Sequence, residues 1–206
     1  MPRKRLIVVL LVLAASVVAA RTAAPSPSKH FRYSAALACG VERWRVKTLQ
    51  DRPRLLARQD KTIAQLIARH RPAHLPATRL PFERHVYRVH GSVTKVIPEA
   101  DSDLHLVFEN GFNHMIAEAA SPTCNAKATP ARRVQMKNAR ASVRVCANAV
   151  VTGVAFWDFR HGQTGVALNA IELHPILGFI CLDGSGSPQA PPKPPPIKPP
   201  PPPPPH

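Results

Sequence analysis

Apolar and polar residues alternate over Leu104–Glu109, the pattern breaks at Asn110-Gly111, and it resumes over His114–Glu118. A period of two is the period of a strand, whose successive side chains point to opposite faces. Asn-Gly is a strong hairpin signal, because both residues accept the positive φ that a tight two-residue turn requires. The sequence around residues 101–118, DSDLHLVFENGFNHMIAE, is therefore two strands and a turn. Leu104, Leu106 and Phe108 share the core face, and His105, Val107 and Glu109 share the other. His114 and Glu118 on the return strand fall on a wet face in this reading.

The same period runs through the preceding segment, where Tyr87, Val89, Gly91 and Val93 alternate with Arg88, His90, Ser92 and Thr94. Gly91 inside that strand marks a bulge or a sharp bend. After the hairpin, Thr129-Pro130 opens a helix, with threonine as N-cap and proline at the first helical position. Its apolar face, Ala131, Val134 and Ala139, is thin, so the helix is expected on the surface. Val143–Phe156 and Ala167–Ile180 supply two further strands, separated by the turn-rich DFRHGQTG, residues 158–165. Upstream, Thr62 and Gln65 form a capping box for a short helix carrying Ile63, Leu66 and Ile67 on one face, ended by Pro72. Residues 72–82, with three prolines, must cross in extended form. Cys39–Leu49, CGVERWRVKTL, reads as a strand or an extended arm with Trp44 as a packing anchor.

Three strands, a helix and two strands give a β-rich α+β fold. The expected architecture is a five-stranded OB-like barrel with a helix between strands three and four, plus an N-terminal helix. A small open sheet packed on the two helices is the rival. The expected domains are a signal peptide at 1–20, a flexible segment at 21–38, the barrel at 39–183 and a proline-rich tail at 184–206. Arg3, Lys4 and Arg5 precede an apolar run from Leu6 to Val18 and the small residues Ala19 and Ala20, as in an export leader. That run is short for a membrane span, so no transmembrane helix is expected in the mature protein. The tail is read either as a stiff polyproline spacer or as a disordered extension.

An exported chain with four cysteines favours disulfides. If strands four and five pair antiparallel, Cys146 at the start of one faces Cys181 at the end of the other. Cys39 then pairs with Cys124, tying the arm to the end of strand three. The absence of any C-x-x-C leaves a zinc ribbon or thioredoxin motif without support. No G-x-S-x-G, H-E-x-x-H or P-loop is present either.

The chemistry-bearing residues gather in the two loops that OB folds commonly use for ligands, between strands one and two and between strands four and five. The first carries Glu99, Asp101 and Asp103, followed by His105. The second carries Asp158, Arg160, His161 and Gln163. Were the loops to meet, Asp101, Asp103, His105 and His161 could hold a divalent metal, since carboxylate and imidazole suit several such ions; Asp-Ser-Asp is also ordinary turn chemistry. His174, in ELHPIL, is a further candidate for ligand contact or for a structural hydrogen bond. No catalytic residue is assigned, and no cofactor other than a divalent metal.

The formal net charge of +16 favours anionic partners, either nucleic acid or a cell-envelope polymer. Arg88 and Lys95, with Tyr87 and Phe108, could offer charge and stacking to a single strand; the acidic first loop opposes it. CGVERWRVKTL, DSDLHLVF…MIAEAASPTC and GVAFWDFRHGQTGVALNAIELHPIL resemble a set of uncharacterised exported bacterial proteins over roughly residues 39–180. The resemblance implies a secreted single domain. The Cys146 and Cys181 pair and the proline tail stand outside that pattern. At fold level the chain is also similar to thermonuclease-type OB domains, but no catalytic residue of theirs matches here. The expected function is a secreted or periplasmic binding module, monomeric, for an anionic ligand. A metal-dependent hydrolase acting at the barrel mouth and an envelope-associated structural protein are the alternatives.

Overall fold

The structure is a computed structural model that describes Cys39 and residues 43–183. The leader, the segment at 21–38 and the proline tail lie outside the described residues. Among the described residues there are six strands: β1 (Gln59–Asp60), β2 (Val86–Pro98), β3 (Leu104–Asn110), β4 (Asn113–Ala119), β5 (Cys146–Trp157) and β6 (Ile171–Cys181). Three α-helices accompany them among the described residues: α1 (Trp44–Lys47), α2 (Ile63–Ile67) and α3 (Pro130–Ser142).

Strand order is β1-β2-β3-β4-β6-β5, and β2 also pairs with β5, which closes β2–β6 into a barrel. All barrel pairings are antiparallel except β4 with β6. Five strands closed in this order, with α3 between the third and the fourth, make the OB-like α+β architecture expected from the sequence. β1 is a two-residue parallel addition to the β2 edge, Gln59 opposite Tyr87. It is too short to carry a period, so the sequence does not announce it.

The hairpin alternation places the core. Leu104, Leu106 and Phe108 from β3 meet Met115, Ala117 and Ala119 from β4, Leu173 from β6 and Trp157 from β5 inside the barrel. Ile63 and Leu66 of α2 join the same cluster, so the short amphipathic helix plugs the core. Its capping box is formed, with Thr62 Oγ1 accepting from Gln65 N and Gln65 Oε1 accepting from Thr62 N, both at 3.1 Å. The β2 register shifts against both neighbours near Val93. Gly91 is required there, since a Cβ would stand 2.4 Å from the Glu109 carbonyl oxygen.

Three sequence expectations are corrected. Residues 44–47 form a turn of helix rather than a strand, with Val46 buried and Trp44 only half-buried. The buried face of α3 is Met136 and Ala139, while Val134 is 57% exposed and Ala131 is exposed. Met136 packs with Leu49, Val86 and Val154 on the outside of the barrel. The last strand begins at Ile171, because residues 158–170 are all loop.

Both disulfides form as expected, Cys39–Cys124 and Cys146–Cys181. The first ties the N-terminal arm to the end of β4, and a buried ion pair fixes the next part of the arm. Arg43 donates to both carboxylate oxygens of Glu83 at 2.7 and 2.6 Å, and to the carbonyls of Pro76, Thr78 and Trp157. Glu83 also accepts from Leu80 N and Trp157 N. Every charge in this pair is hydrogen-bonded, the condition under which a buried pair is tolerated. Sequence reading does not single out either partner, since a lone arginine and a lone glutamate forty positions apart carry no pattern.

Candidate functional site

The two faces of the β3–β4 hairpin differ in residue type but not in burial. The outward face holds Asp103, His105 and Glu118, joined by Glu172 and His174 from β6, and none is more than 5% exposed. Register explains the meeting. His105 lies opposite Glu118 in the antiparallel β3–β4 pair. Ile116 and Ala117 lie opposite Glu172 and Leu173 in the parallel β4–β6 pair, which brings His174 beside Glu118 one step on. Glu118 is the hub, with Oε1 3.3 Å from His105 Nδ1 and Oε2 2.8 Å from His174 Nδ1.

Loops complete the surroundings. Glu99 Oε1 stands 3.1 Å from His105 Nδ1. His105 Nε2 is 2.8 Å from the Thr164 carbonyl, so the loop after β5 does fold back over the loop before β3. A carbonyl only accepts, which makes Nε2 a protonated nitrogen and leaves Nδ1 for the carboxylates. Gly165, at φ +79°, lies so close that a Cβ would be 2.8 Å from Val107 Cγ1. Asp103 Oδ1 accepts from Ser121 N, and its Oδ2 is 3.3 Å from His174 Nε2. From the arm, Lys47 Nζ reaches Asp101 Oδ2 at 3.1 Å.

The electrostatics follow from this packing. Burial pulls the His105 imidazolium down, but Glu118 and Glu99 more than offset it, and its pKa stands at about 10. For His174, burial is likewise outweighed by Glu118 and Asp103, and the pKa is raised. Burial pushes Glu118 up, but His174, His105 and Lys47 hold it well below the usual carboxylate range. Glu172 goes the other way. Burial and the neighbouring Glu118 charge push it to about 8, so it is mainly a neutral acid at pH 7. Burial, then the Glu118 charge, raises Asp158 as well.

Of the residues singled out in the sequence, Asp103, His105 and His174 come together in this cluster. Asp101 is one residue outside, in the Lys47 pair and accepting from Asp103 N. His161 does not join them. Its side chain is 58% exposed and it stands 3.6 Å from Asp158. Gln163 donates to Asp158 Oδ2 and to the Phe159 carbonyl, holding the DFRHGQTG turn in shape, and Arg160 is exposed. Among the described residues, the groups of three at metal-ligand spacing near these loops are Glu99, His105, Glu118 and Asp103, Glu118, His174. Sequence reasoning misses Glu118 and Glu172 as site residues. Strand alternation alone puts Glu118 on a wet face, and the arm and the second loop are what cover it. Glu172 has no signal beyond its place two residues before His174.

The stacking platform expected for a nucleic acid does not form on the surface. Tyr87 and Phe108 are both 0% exposed and lie inside the barrel. Arg88 is engaged by Asp60 at 2.7 Å.

No family model and no curated protein matches the chain. Among solved structures, a crystal structure of a putative aspartyl-tRNA synthetase from Leishmania major Friedlin aligns at 11% identity and a TM-score of 0.39. That alignment covers 60% of this chain and 20% of that one. Entamoeba histolytica asparaginyl-tRNA synthetase aligns at 9% identity and a TM-score of 0.36, over 64% of this chain and 25% of that one. The chain thus spans a quarter or less of their length, and a likeness this slight carries no functional argument.

Proposed function

We propose that this chain is an exported module that binds a phosphodiester polymer through its basic surface, away from the usual OB ligand face. The observation that carries the reading is a cavity of about 480 Å³ between the arm and the start of α3. Arg52, Arg54 and Arg132 line it, together with Thr129, Gln135 and Leu55, and no acidic side chain among the described residues does. The first turn of α3 contains no acid, so the positive end of the helix is uncompensated. Pro130 has no N–H and Arg132 N donates to Thr129 Oγ1, which leaves the Ala131 N–H beside the arginines to meet a phosphate. The net charge of +16, of which only three units (Arg3, Lys4 and Arg5) belong to the leader, draws such a polymer in. Export is supported by two disulfides, which persist in oxidising compartments. Among the described residues no helix is long and apolar enough to cross a membrane.

The hydrolase alternative draws less support. A catalytic metal keeps an open position for substrate, whereas His105 and His174 are each only 1% exposed. The test is fluorescence anisotropy of the chain with labelled single-stranded DNA and with labelled poly(glycerol phosphate) over a salt series. Binding that weakens linearly in log salt is expected for at least one of them. The double substitution Arg54→Ala, Arg132→Ala should flatten that slope by roughly one unit per lost contact. Salt-independent or absent binding to both polymers, or a slope untouched by the double substitution, overturns the reading. Which polymer binds more tightly separates a nucleic acid from an envelope source.

A further inference from the structure

We propose that the buried face of the hairpin is a divalent-cation site, with His105 Nδ1, Glu99 Oε1 and Glu118 Oε1 as three of its ligands. Four observations lead there. Both carboxylates approach the same nitrogen, at 3.1 Å for Glu99 and 3.3 Å for Glu118. One nitrogen carries one proton, so a single N–H cannot serve both acceptors fully. Donor atoms spaced about 3.3 Å apart are what a tetrahedral ion with bonds of roughly 2.0–2.1 Å brings together. The imidazole is also set for ligation: Nε2 faces the Thr164 carbonyl at 2.8 Å, the outer contact that orients a ligating histidine, so an ion has only the Nδ1 proton to displace.

Glu118 is oriented in the same way. Its second oxygen stands 2.8 Å from His174 Nδ1, so an ion on Oε1 leaves that contact in place. Finally, both carboxylate oxygens of Glu172 in the same cluster are buried without a hydrogen-bond partner among the described residues. Glu172 points at the hub, its Oε2 being 3.9 Å from His174 Nδ1. Buried polar groups are ordinarily satisfied, so these oxygens add to a surplus of acid in the cluster that the chain's own donors leave unmatched.

The competing triad, Asp103, Glu118 and His174, is the outer shell of this one. His174 sits between Asp103, Glu118 and Glu172 as a cation that balances the surplus acids. Lys47, on Asp101, does the same from the arm. The third group at ligand spacing, Cys146, Cys181 and Asp183, is excluded because its sulfurs form a disulfide. Carboxylate with imidazole suits zinc, manganese or ferrous iron. Glu99 is the ligand in reach of solvent, with 31% of its side chain exposed, and gives the ion its way in. An ion here joins the loop before β3 to β3 and β4. Its role is structural, and it is independent of phosphodiester binding.

The experiment loads the chelator-treated full chain with zinc alone, and separately with manganese alone. Bound metal is counted by elemental analysis after dialysis. One ion per chain is expected at micromolar free metal, with a raised melting midpoint. Glu99→Gln tests the assignment without disturbing the core. It should still fold without metal, yet bind at least about 100-fold more weakly, since even outer-shell losses cost 10–100-fold. His161→Ala should bind as the wild type does. X-ray absorption at the zinc edge of the wild-type chain should show nitrogen and oxygen neighbours only. No retained ion with either metal, sulfur in the first shell, or undiminished binding by Glu99→Gln overturns the proposal.

Discussion

His105 is 1% exposed and has two carboxylates beside one ring nitrogen. Its neighbour Glu172 is as deeply buried and has no hydrogen-bond partner among the described residues. Both residues prefer their protonated forms in the folded chain, and this sets a pH dependence. A raised pKa contributes stability that is complete below the unfolded value and lost as pH climbs through the folded one. For Glu172 the window runs from 4.5 to about 8. For His105 it runs from 6.5 to about 10. Glu118, held low by His174 and its other neighbours, works the opposite way and loses its contribution as pH falls below 4.5. Metal-free protein in chelator should therefore melt highest on the acid side of neutrality and progressively lower toward pH 9. Glu172→Gln should flatten the part of that decline between about pH 5 and 8. A melting midpoint that rises from pH 6 to pH 9 would contradict this account.

At the scale of elements, the site depends on one loop lying flat on one strand. Residues 158–170 reach β3 through the Thr164 carbonyl on His105 and through Gly165 against Val107. Gly165 has φ +79° and no room for a Cβ, so both conformation and contact demand glycine. Gly165→Ala should cost about 1–3 kcal/mol, as overpacking does. It should also raise amide exchange across 158–170 while leaving β2 and β5 protected. Gly162→Ala is the control, since its φ of +85° gives it the same backbone strain with nothing within 4 Å of the added Cβ. Equal losses for the two variants would mean that strain, and not the β3 contact, fixes the loop.

For the whole molecule, the barrel is closed by strand pairing and the arm is held on by covalent and ionic ties. Cys39–Cys124 spans 85 residues and Cys146–Cys181 spans 35. By loop-closure entropy the longer bridge is worth more, roughly 4–5 kcal/mol against somewhat under 4. Removing Cys39 and Cys124 together should lower urea stability by up to that amount. It should also open the β3–β4 face, because the same arm carries Lys47 to Asp101 and Arg43 to Glu83. Urea titration with hydrogen exchange over residues 101–120 checks both. Removing Cys146 and Cys181 should leave that face protected.

Strand period, the turn signal at Asn110-Gly111 and the Thr129-Pro130 start were enough for the sequence to determine the hairpin, α3 and the barrel order, although the turn itself is Gly111-Phe112, with Asn110 paired to Asn113. The disulfides followed from that order. These signals are local, and each rests on neighbouring residues sharing one backbone geometry. The sequence also placed His105, Val107 and Glu109 on one face of β3, with Asp103 in the loop just before it. It could not tell that this face is buried, because alternation separates two faces without saying which is covered. Tertiary structure decided that, by laying the arm and the 158–170 loop across it. Parallel pairing of β4 with β6 then brought Glu118 beside His174, more than fifty residues apart, a meeting that depends on register between distant strands. The DSDLH entrance was legible as an acidic, histidine-bearing stretch. Only the closed barrel made Glu118 its centre and left His161 in solvent.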